Sequence, residues 1–475
     1  MIIKRVLCKN SGALARGLPA SRFDFPDWHA TPTTTRQEHL ETTMSYRRGW
    51  IAVFLFSLSM INYMDRIALS IAAKPIASEF KLGAVGMGYL FSSFIWSYAL
   101  FLIPMGVLID RFGTKRMAGV GIFVWSAATA LTAAVGSFGS LMLARLVMGA
   151  GESASNPIGA KVIRQWIPAN ERGVVTSIFN SGSYAGPAVC SVILGALIAL
   201  WGWRVSFVIA GGIGFVWLVA WLVFFNSPEK ARWLSAQERD RIVRERDAST
   251  AGDSNVVAGS SGLLSLMRGR TLWGLAITQG CNVYTQYLFL TWLPSYLQAS
   301  RHLSIANTGL FSAVPYAAAV VLCIFAGRLS DQYLKKTGVG VGTGRRRNAV
   351  ALAMLTGAAI LAVPFTTNLG VLLVIFSITL TGIASTTSLN FALLNDLLPH
   401  SRDVAKAMAF VVVGGNIFGM IAPIATGYVI AATGSYDWAF GIAGLLLVAG
   451  AVTVLTMTRR PLSGTPNLTQ QRVAV

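Results

Sequence analysis

The chain has 475 residues, 54% of them hydrophobic and 12% charged, with a net charge of +20. Soluble proteins carry about 25% charged residues, so the composition excludes an ordinary water-soluble fold and points to lipid as the solvent. The positive excess falls in separated loop clusters, which excludes the continuous basic strip of a nucleic-acid binder.

Residues 1–46 read as a cytoplasmic N-terminal tail, without an apolar stretch long enough for a secretory signal. Met44 opens MSYRRGWIAVF, a natural start before a first membrane helix. Residues 1–43 are therefore expected to be an upstream extension of the gene, with a disordered tail as the alternative. Twelve windows then follow that can cross the roughly 30 Å hydrocarbon core, which takes about 20 helical residues. They lie near 49–72, 86–108, 117–137, 140–160, 173–198, 205–226, 272–293, 307–327, 348–366, 369–393, 404–430 and 437–457. All are expected to be helical, because backbone groups in lipid must be satisfied within the segment.

Lys and Arg alternate between loops. Arg47 and Arg48 precede the first window, Arg111, Lys115 and Arg116 follow the second, and Arg164 and Arg172 follow the fourth. Clusters recur at 239–246 and 335–347, at Arg402, and at Arg459–Arg460, while the intervening loops hold few. By the positive-inside rule both termini are cytoplasmic and the number of spans is even. The only long polar stretch between spans divides the chain into six-span bundles at 47–226 and 271–458, joined by a cytoplasmic linker, 227–270, and closed by a cytoplasmic tail, 459–475. Within the linker, 234–246 reads as a charged surface helix and 249–262 as a flexible connection. The expected fold class is an all-α polytopic membrane protein of twelve transmembrane helices in two six-helix bundles.

Charge inside the apolar windows is the chemical signal. Asp65 and Arg66 interrupt the first window, and Arg145 and Glu152 the fourth. Each ionised group at a helix centre costs about 2.5–3.5 kcal/mol on insertion scales, and such groups mark ion and substrate pathways. Arg145 and Glu152 are seven residues apart, two helical turns, and so face one way, with Asn156 one turn on. Adjacent Asp65 and Arg66 point about 100° apart and can address different partners around one cavity. An arginine offers a carboxylate a bidentate fork that stays charged. A buried carboxyl whose proton affinity moves with its surroundings suits proton coupling. Lys161, near a helix end, is expected to snorkel to the interface.

The second window runs into GVLIDRFGTKR (106–116), and GRLSDQYLKK (327–336) repeats it after the eighth, with Asp110 and Asp331 at equivalent places. The first copy resembles the loop signature of the major facilitator superfamily. The resemblance implies a gating loop of Gly106, Asp110, Arg111, Gly113, Lys115 and Arg116, with Asp331 in the second half. Gly113 would make a tight turn, and Arg111 and Lys115 would pair across to the other bundle when the cytoplasmic face is shut. Within that superfamily, NYMDR (62–66), RLVMGAGESASNP (145–157), WIPANER (166–172) and LTWLPSYL (290–297) are similar to segments of the anion:cation symporter family, which carries organic anions.

That resemblance implies that Arg66 binds the substrate carboxylate, that Asp65 and Glu152 carry protons, and that Arg145 is the ion-pair partner tuning them. Tyr63 and Tyr98 would line the pocket. Sugar-acid members of the family have Gln where this chain has Ser183, followed here by Tyr184. Ser385 and Thr387 of the tenth window match their pattern, but Trp is replaced by Ser388. Their eleventh-window Asn aligns with Val412, and Asn416 lies one turn later. Gln286 joins the substrate-binding candidates in the seventh window, where Tyr284, Tyr287, Phe289 and Trp292 are either a gate or packing. Fewer fixed amides suggest a less hydroxylated anion, such as an aromatic or small aliphatic carboxylate.

No cofactor is implied. Cys8, Cys190, Cys281 and Cys323 show no metal or redox spacing, and the glycine clusters at 149–154 and 414–419 lack the strand and Lys-Ser/Thr of a nucleotide loop. The expected partners are a small organic anion, protons and the lipid bilayer, with the protein a monomer in a bacterial inner membrane. The leading reading is a proton-coupled symporter importing a carboxylate by alternating access. An exporter or exchanger on the same scaffold is the alternative, and a non-transporting sensor a remoter one. No enzyme signature survives its context.

Overall fold

The computed structural model describes residues 46–168, 171–231, 234–254, 266–335, 342–398, 403–460 and 462. The N-terminal tail through residue 45, Met44 included, most of the C-terminal tail and residues 255–265 of the linker lie outside them. Among the described residues every regular element is helical. In chain order these are α1 (Tyr46–Ile71), α2 (Ala73–Glu79), α3 (Ala84–Phe112), α4 (Thr114–Leu131), α5 (Phe138–Glu152), α6 (Ser155–Trp166) and α7 (Arg172–Phe224). Then follow α8 (Ala236–Ser254), α9 (Arg270–Ser300), α10 (Ile305–Lys335), α11 (Gly342–Gly357), continued as a 3₁₀ segment to Phe365, α12 (Leu369–Leu397), α13 (Val404–Thr433) and α14 (Asp437–Met457).

Nine described segments are long and apolar enough to cross a membrane, and one of them, α7, supplies two crossings. Its 53 residues are broken only at Gly202, whose φ of 77° lies where glycine is at ease and other residues are strained. The remaining crossings are α5–α6 and α9. The fourth window is not one continuous helix: α5 stops at Glu152 and α6 starts at Ser155. Pro157 lacks the N–H that would bond the Ser153 carbonyl, so the helix gives way there. α9 is diluted by polar residues, among them Gln279, Asn282, Thr285 and Gln286. The linker helix α8 reaches Ser254 and so takes in the start of the segment expected to be flexible.

In the first half α7 packs along α1 and α4, and α5 lies between α3 and α4. In the second, α9 packs on α13 and α14, and α12 on α10 and α11. The halves meet where α3 crosses α13, α7 crosses α10 and α1 crosses α9. The hydrogen bonds and closest backbone approaches that follow lie toward the end away from the basic loops, and one longer contact, from Arg66 to Tyr287, joins the halves at mid-depth. Ser70 Oγ donates to the Thr291 carbonyl at 2.6 Å, Gln298 Nε2 to that of Ile71 at 3.2 Å, and Ser92 Oγ to that of Met420 at 2.7 Å. Backbones nearly touch there: a Cβ on Gly309 would sit 2.3 Å from the Ser191 carbonyl oxygen, and one on Gly88 2.6 Å from that of Pro423. At the basic end the described ion pairs stay within a half: Lys161 with Asp110, Arg346 with Asp396, and Lys406 with Asp403. The two bundles are thus clamped together at the end remote from the basic loops.

Candidate functional site

Four ionisable side chains converge at mid-depth of the first half. Arg66 on α1 is 7% exposed, Asp65 1%, Arg145 on α5 3% and Glu152 0%. Small residues make the convergence possible. A Cβ at Gly149 would lie 2.3 Å from the Phe94 carbonyl oxygen, and one at Gly151 2.8 Å from the Trp125 amide. Glycine at both positions lets α5 seat deeply between α3 and α4, which carries Glu152, at the helix end, into the interior.

Arg66 Nε donates to Glu152 Oε2 at 2.9 Å. Its guanidinium lies over the rings of Tyr63, Phe94 and Tyr98 at 4.6, 4.7 and 5.0 Å, contacts that attract a cation to the aromatic face. Nη1 makes a long contact, 3.4 Å, to Tyr287 Oη of α9, which bridges the two halves. Arg145 is arranged differently. Its Nη1 lies 3.1 Å from Met148 Sδ and 3.5 Å from the Asp65 carbonyl oxygen, and its guanidinium packs on Phe94 at 5.3 Å. The ion pair expected of Arg145 is therefore made by Arg66. The reason is geometric: the Nε edge of Arg66 faces the end of α5, while Arg145 turns toward the backbone of α1. Asp65 has no hydrogen-bond partner on either carboxyl oxygen among the described residues.

Asn156 keeps its link to the site across the break after Glu152, donating to Tyr98 Oη at 2.8 Å. Tyr63 and Tyr98 therefore both lie against Arg66. Ser183 and Tyr184 are half-buried on α7, but the Ser183 hydroxyl is spent on the Asn180 carbonyl of its own helix at 2.7 Å. Gln286, Ser385, Thr387 and Asn416 are half-buried on α9, α12 and α13. Thr387 Oγ1 accepts from Asn282 Nδ2 at 2.9 Å.

At the basic end Gly113 has φ 86° and ends α3 as a tight turn. Among the described residues the partners of this loop's charges lie in its own bundle. Asp110 pairs with Lys161 at 2.7 Å, Lys115 Nζ donates to Asn226 at 3.0 Å, and Arg111 lies over Phe112 at 5.4 Å. Lys161 reaches the helix end, where its ammonium holds the exposed Asp110 carboxylate. Arg116 is exposed, and a Cβ at Gly106 would meet nothing within 4 Å. Asp331 lies on α10, with its side chain outside the described residues. No ion pair among the described residues joins the two bundles at this end, which is not the clamped one.

Sequence reasoning missed a set of amides in the second half. Asn282 Nδ2 also donates to the Ile383 carbonyl, and Asn390 Nδ2 to the Leu275 carbonyl and Gln279 Oε1. The signal was available: Gln279, Asn282 and Gln286 recur at helical spacing in an otherwise apolar window, and Asn390 closes STTSLN. The second half is therefore richer in buried amides than the comparison at Ser183, Ser388 and Val412 suggested. Tyr287 belongs to the site as well, and Trp292 packs, donating to the Pro423 carbonyl at 3.1 Å.

The family model described as Major Facilitator Superfamily matches residues 55–344 and 340–474. A probable L-galactonate transporter of Escherichia coli is 31% identical over 435 residues, covering 90% of this chain and 92% of the relative. A probable galactarate/D-glucarate transporter of the same organism is 30% identical over 425 residues, with 86% and 93% covered. A probable sulfoacetate transporter of Cupriavidus necator is 32% identical over 398 residues, with 83% and 90% covered. Among solved structures, a bacterial homologue of the human lysosomal transporter Spinster superposes with TM-score 0.70 at 17% identity, covering 89% of this chain and 99% of that one. A D-xylose–proton symporter superposes with TM-score 0.63 at 15% identity, covering 87% and 98%.

Proposed function

The chain belongs to the major facilitator superfamily, and on that premise we propose that it is a proton-coupled symporter that imports a small organic acid anion. Transport rather than enzymatic turnover is the work of this family, and relatives named for sugar acids support an organic acid as the solute. The observation that carries the reading is the buried Arg66–Glu152 pair beside the unpartnered carboxyl of Asp65.

Arg66 serves the substrate carboxylate. Its Nε is held by Glu152, and its terminal nitrogens provide the donors that a carboxylate bridges. Glu152 and a bound anion then compete for one guanidinium. A proton on Glu152 removes that competition, so proton binding and anion binding favour each other. Linkage makes the effect reciprocal. Asp65 is the second protonation site, and Arg145, close to both acids, sets their electrostatic surroundings.

The clamp at the end remote from the basic loops supports access from the basic end. With the basic loops cytoplasmic, as the positive-inside rule directs, this is the releasing conformation of an importer in a bacterial inner membrane. Each chain carries its own set of charges, which supports a monomer. Uptake of a monoanion with one proton is electroneutral and draws about 1.4 kcal/mol per pH unit. A second proton adds about 2.3 kcal/mol per 100 mV of membrane potential.

The test is uptake of labelled sugar acids into proteoliposomes with an imposed pH gradient. Accumulation that collapses with the gradient is expected. Counterflow of acid for acid that ignores the gradient would replace symport by exchange.

A further inference from the structure

Tyr63, Asp65 and Arg66 of the NYMDR segment all stand at the site, and Asn62 is its remaining polar residue. Asn62 is as deeply buried as they are, 3% exposed, and a buried amide is costly unless something bonds to it. On α1 it precedes Arg66 by four residues, which puts both side chains on one face of the helix. From that face Arg66 Nε reaches Glu152 Oε2 at 2.9 Å, and the Asn62 amide lies within reach of the same carboxyl.

The carboxyl is only half held. Arg66 occupies Oε2, while Oε1 is buried without a hydrogen bond among the described residues, and so is Asn62 Nδ2. Asp65 and Arg66 of α1, Tyr98 of α3, Arg145 of α5 and Tyr287 of α9 act on Glu152 electrostatically, yet none of them bonds Oε1. The other helix against α5 is α4, which presents Gly121 and Trp125 there. An amide nitrogen is the donor that Oε1 lacks, and a carboxyl oxygen is the acceptor that Nδ2 lacks. Buried polar groups normally find partners. The contact also survives protonation. A proton settling on Oε2 takes the edge that Arg66 held and leaves Oε1 a carbonyl oxygen, which still accepts from an amide.

We propose that Asn62 is a positioning residue for Glu152, its amide holding Oε1 while Oε2 exchanges Arg66 for a proton. The proposal rests on the reading of Glu152 as a proton site and adds what keeps that side chain in place when a substrate anion draws Arg66 away. Without the amide, the neutral acid would be left with no fixed partner on Oε1. A hydrogen bond to a charged oxygen is stronger than one to a neutral oxygen, so the amide also favours the carboxylate. Its loss should let Glu152 take its proton at higher pH.

The experiment is an infrared pH titration of the purified full chain, which follows the carbonyl stretch of a carboxyl as it becomes neutral. The band missing from Glu152→Gln belongs to Glu152. In Asn62→Leu, which keeps the branched shape without the amide, that band is expected at higher wavenumber, as for a carbonyl oxygen relieved of a hydrogen bond. It should also appear at a pH higher by about half a unit or more, a gain of about threefold in proton affinity. Asn62→Ala removes the same donor with less bulk and should show both shifts even where Asn62→Leu does not fold. An unchanged band position and midpoint in the folded variants would overturn the proposal and leave Asn62 a packing residue. If Glu152→Gln removes no titrating band, the reading of Glu152 as a proton site falls, and this proposal with it.

Discussion

Arg66 reaches from α1 across the first bundle to Glu152, Nε to Oε2 at 2.9 Å, and both side chains are withdrawn from solvent. Removing one partner of such a pair costs about 3–5 kcal/mol, because it leaves a buried charge uncompensated. Arg66→Ala should therefore abolish anion binding and also lower thermal stability. Arg66→Lys keeps the charge but cannot hold Glu152 and a carboxylate with separate edges of one fork, so at least a tenfold loss of affinity is expected. Unchanged Kd values by calorimetry in either variant would move the anion site away from Arg66.

Glu152→Gln removes the competitor for Arg66 while keeping its shape. Anion affinity should be retained or raised and should no longer vary with pH. Acid-for-acid counterflow should continue, and pH-driven accumulation should stop. Transport assays at two pH values separate these effects. Accumulation driven by a pH gradient in the variant would remove Glu152 from the coupling.

Asp65 has no hydrogen-bond partner to lose among the described residues, so Asp65→Asn should change the melting temperature by only a few degrees. If the second proton travels here, charge moved per substrate should fall by one in electrophysiology on solid-supported membranes. An unaltered charge ratio would assign Asp65 a purely electrostatic role.

The clamp at the far end rests on backbone contact. A side chain at Gly309 would meet the Ser191 carbonyl oxygen at 2.3 Å, whereas at Gly139 it would meet nothing within 4 Å. Gly309→Val should prevent closure at that end, and Gly139→Val should not. Spin labels at Lys81 and Thr433, in a background without the four native cysteines, should move apart in the first variant alone. Identical distance distributions in both would show that the close approach is not needed for closure.

The linker helix offers a pH response outside the membrane. Partial burial pushes the Glu229 carboxyl up, but its hydrogen bonds from Arg246, its own amide and Ser227 hold it below the ordinary glutamate range. Its pairing with Arg246 of α8 is therefore complete above about pH 4.3 and is lost as pH falls through the lower folded value. A spin label at Gln237 should become more mobile on acidification, and Glu229→Gln should show that mobility already at neutral pH. The effect is small, since partly exposed pairs are worth about 0–1 kcal/mol. No change in the variant would mean that α8 is held by other contacts.

The fold was readable because its determinants are local. Twenty apolar residues must become a helix in lipid, and Gly113 shows in the chain as the turn it makes in space. The charged quartet was readable for the same reason, since Asp65, Arg66, Arg145 and Glu152 stand out against their own neighbours. The amides were harder to read. Gln279, Asn282 and Asn390 are unremarkable singly and acquire meaning only where α9 meets α12.

The sequence by itself determined the helical membrane fold, the alternation of charge between its loops, and the identity of the four buried ionisable groups. Each follows from the cost of placing a residue in hydrocarbon, which depends on its neighbours in the chain. Tertiary structure alone decided that Arg66 rather than Arg145 holds Glu152, that Asp110 pairs with Lys161 within its own bundle, and that the end remote from the basic loops is shut. Those outcomes depend on how far each helix is turned and how near its neighbour can come. Glycines such as Gly149 and Gly309 permit the approach, and packing fixes the rest.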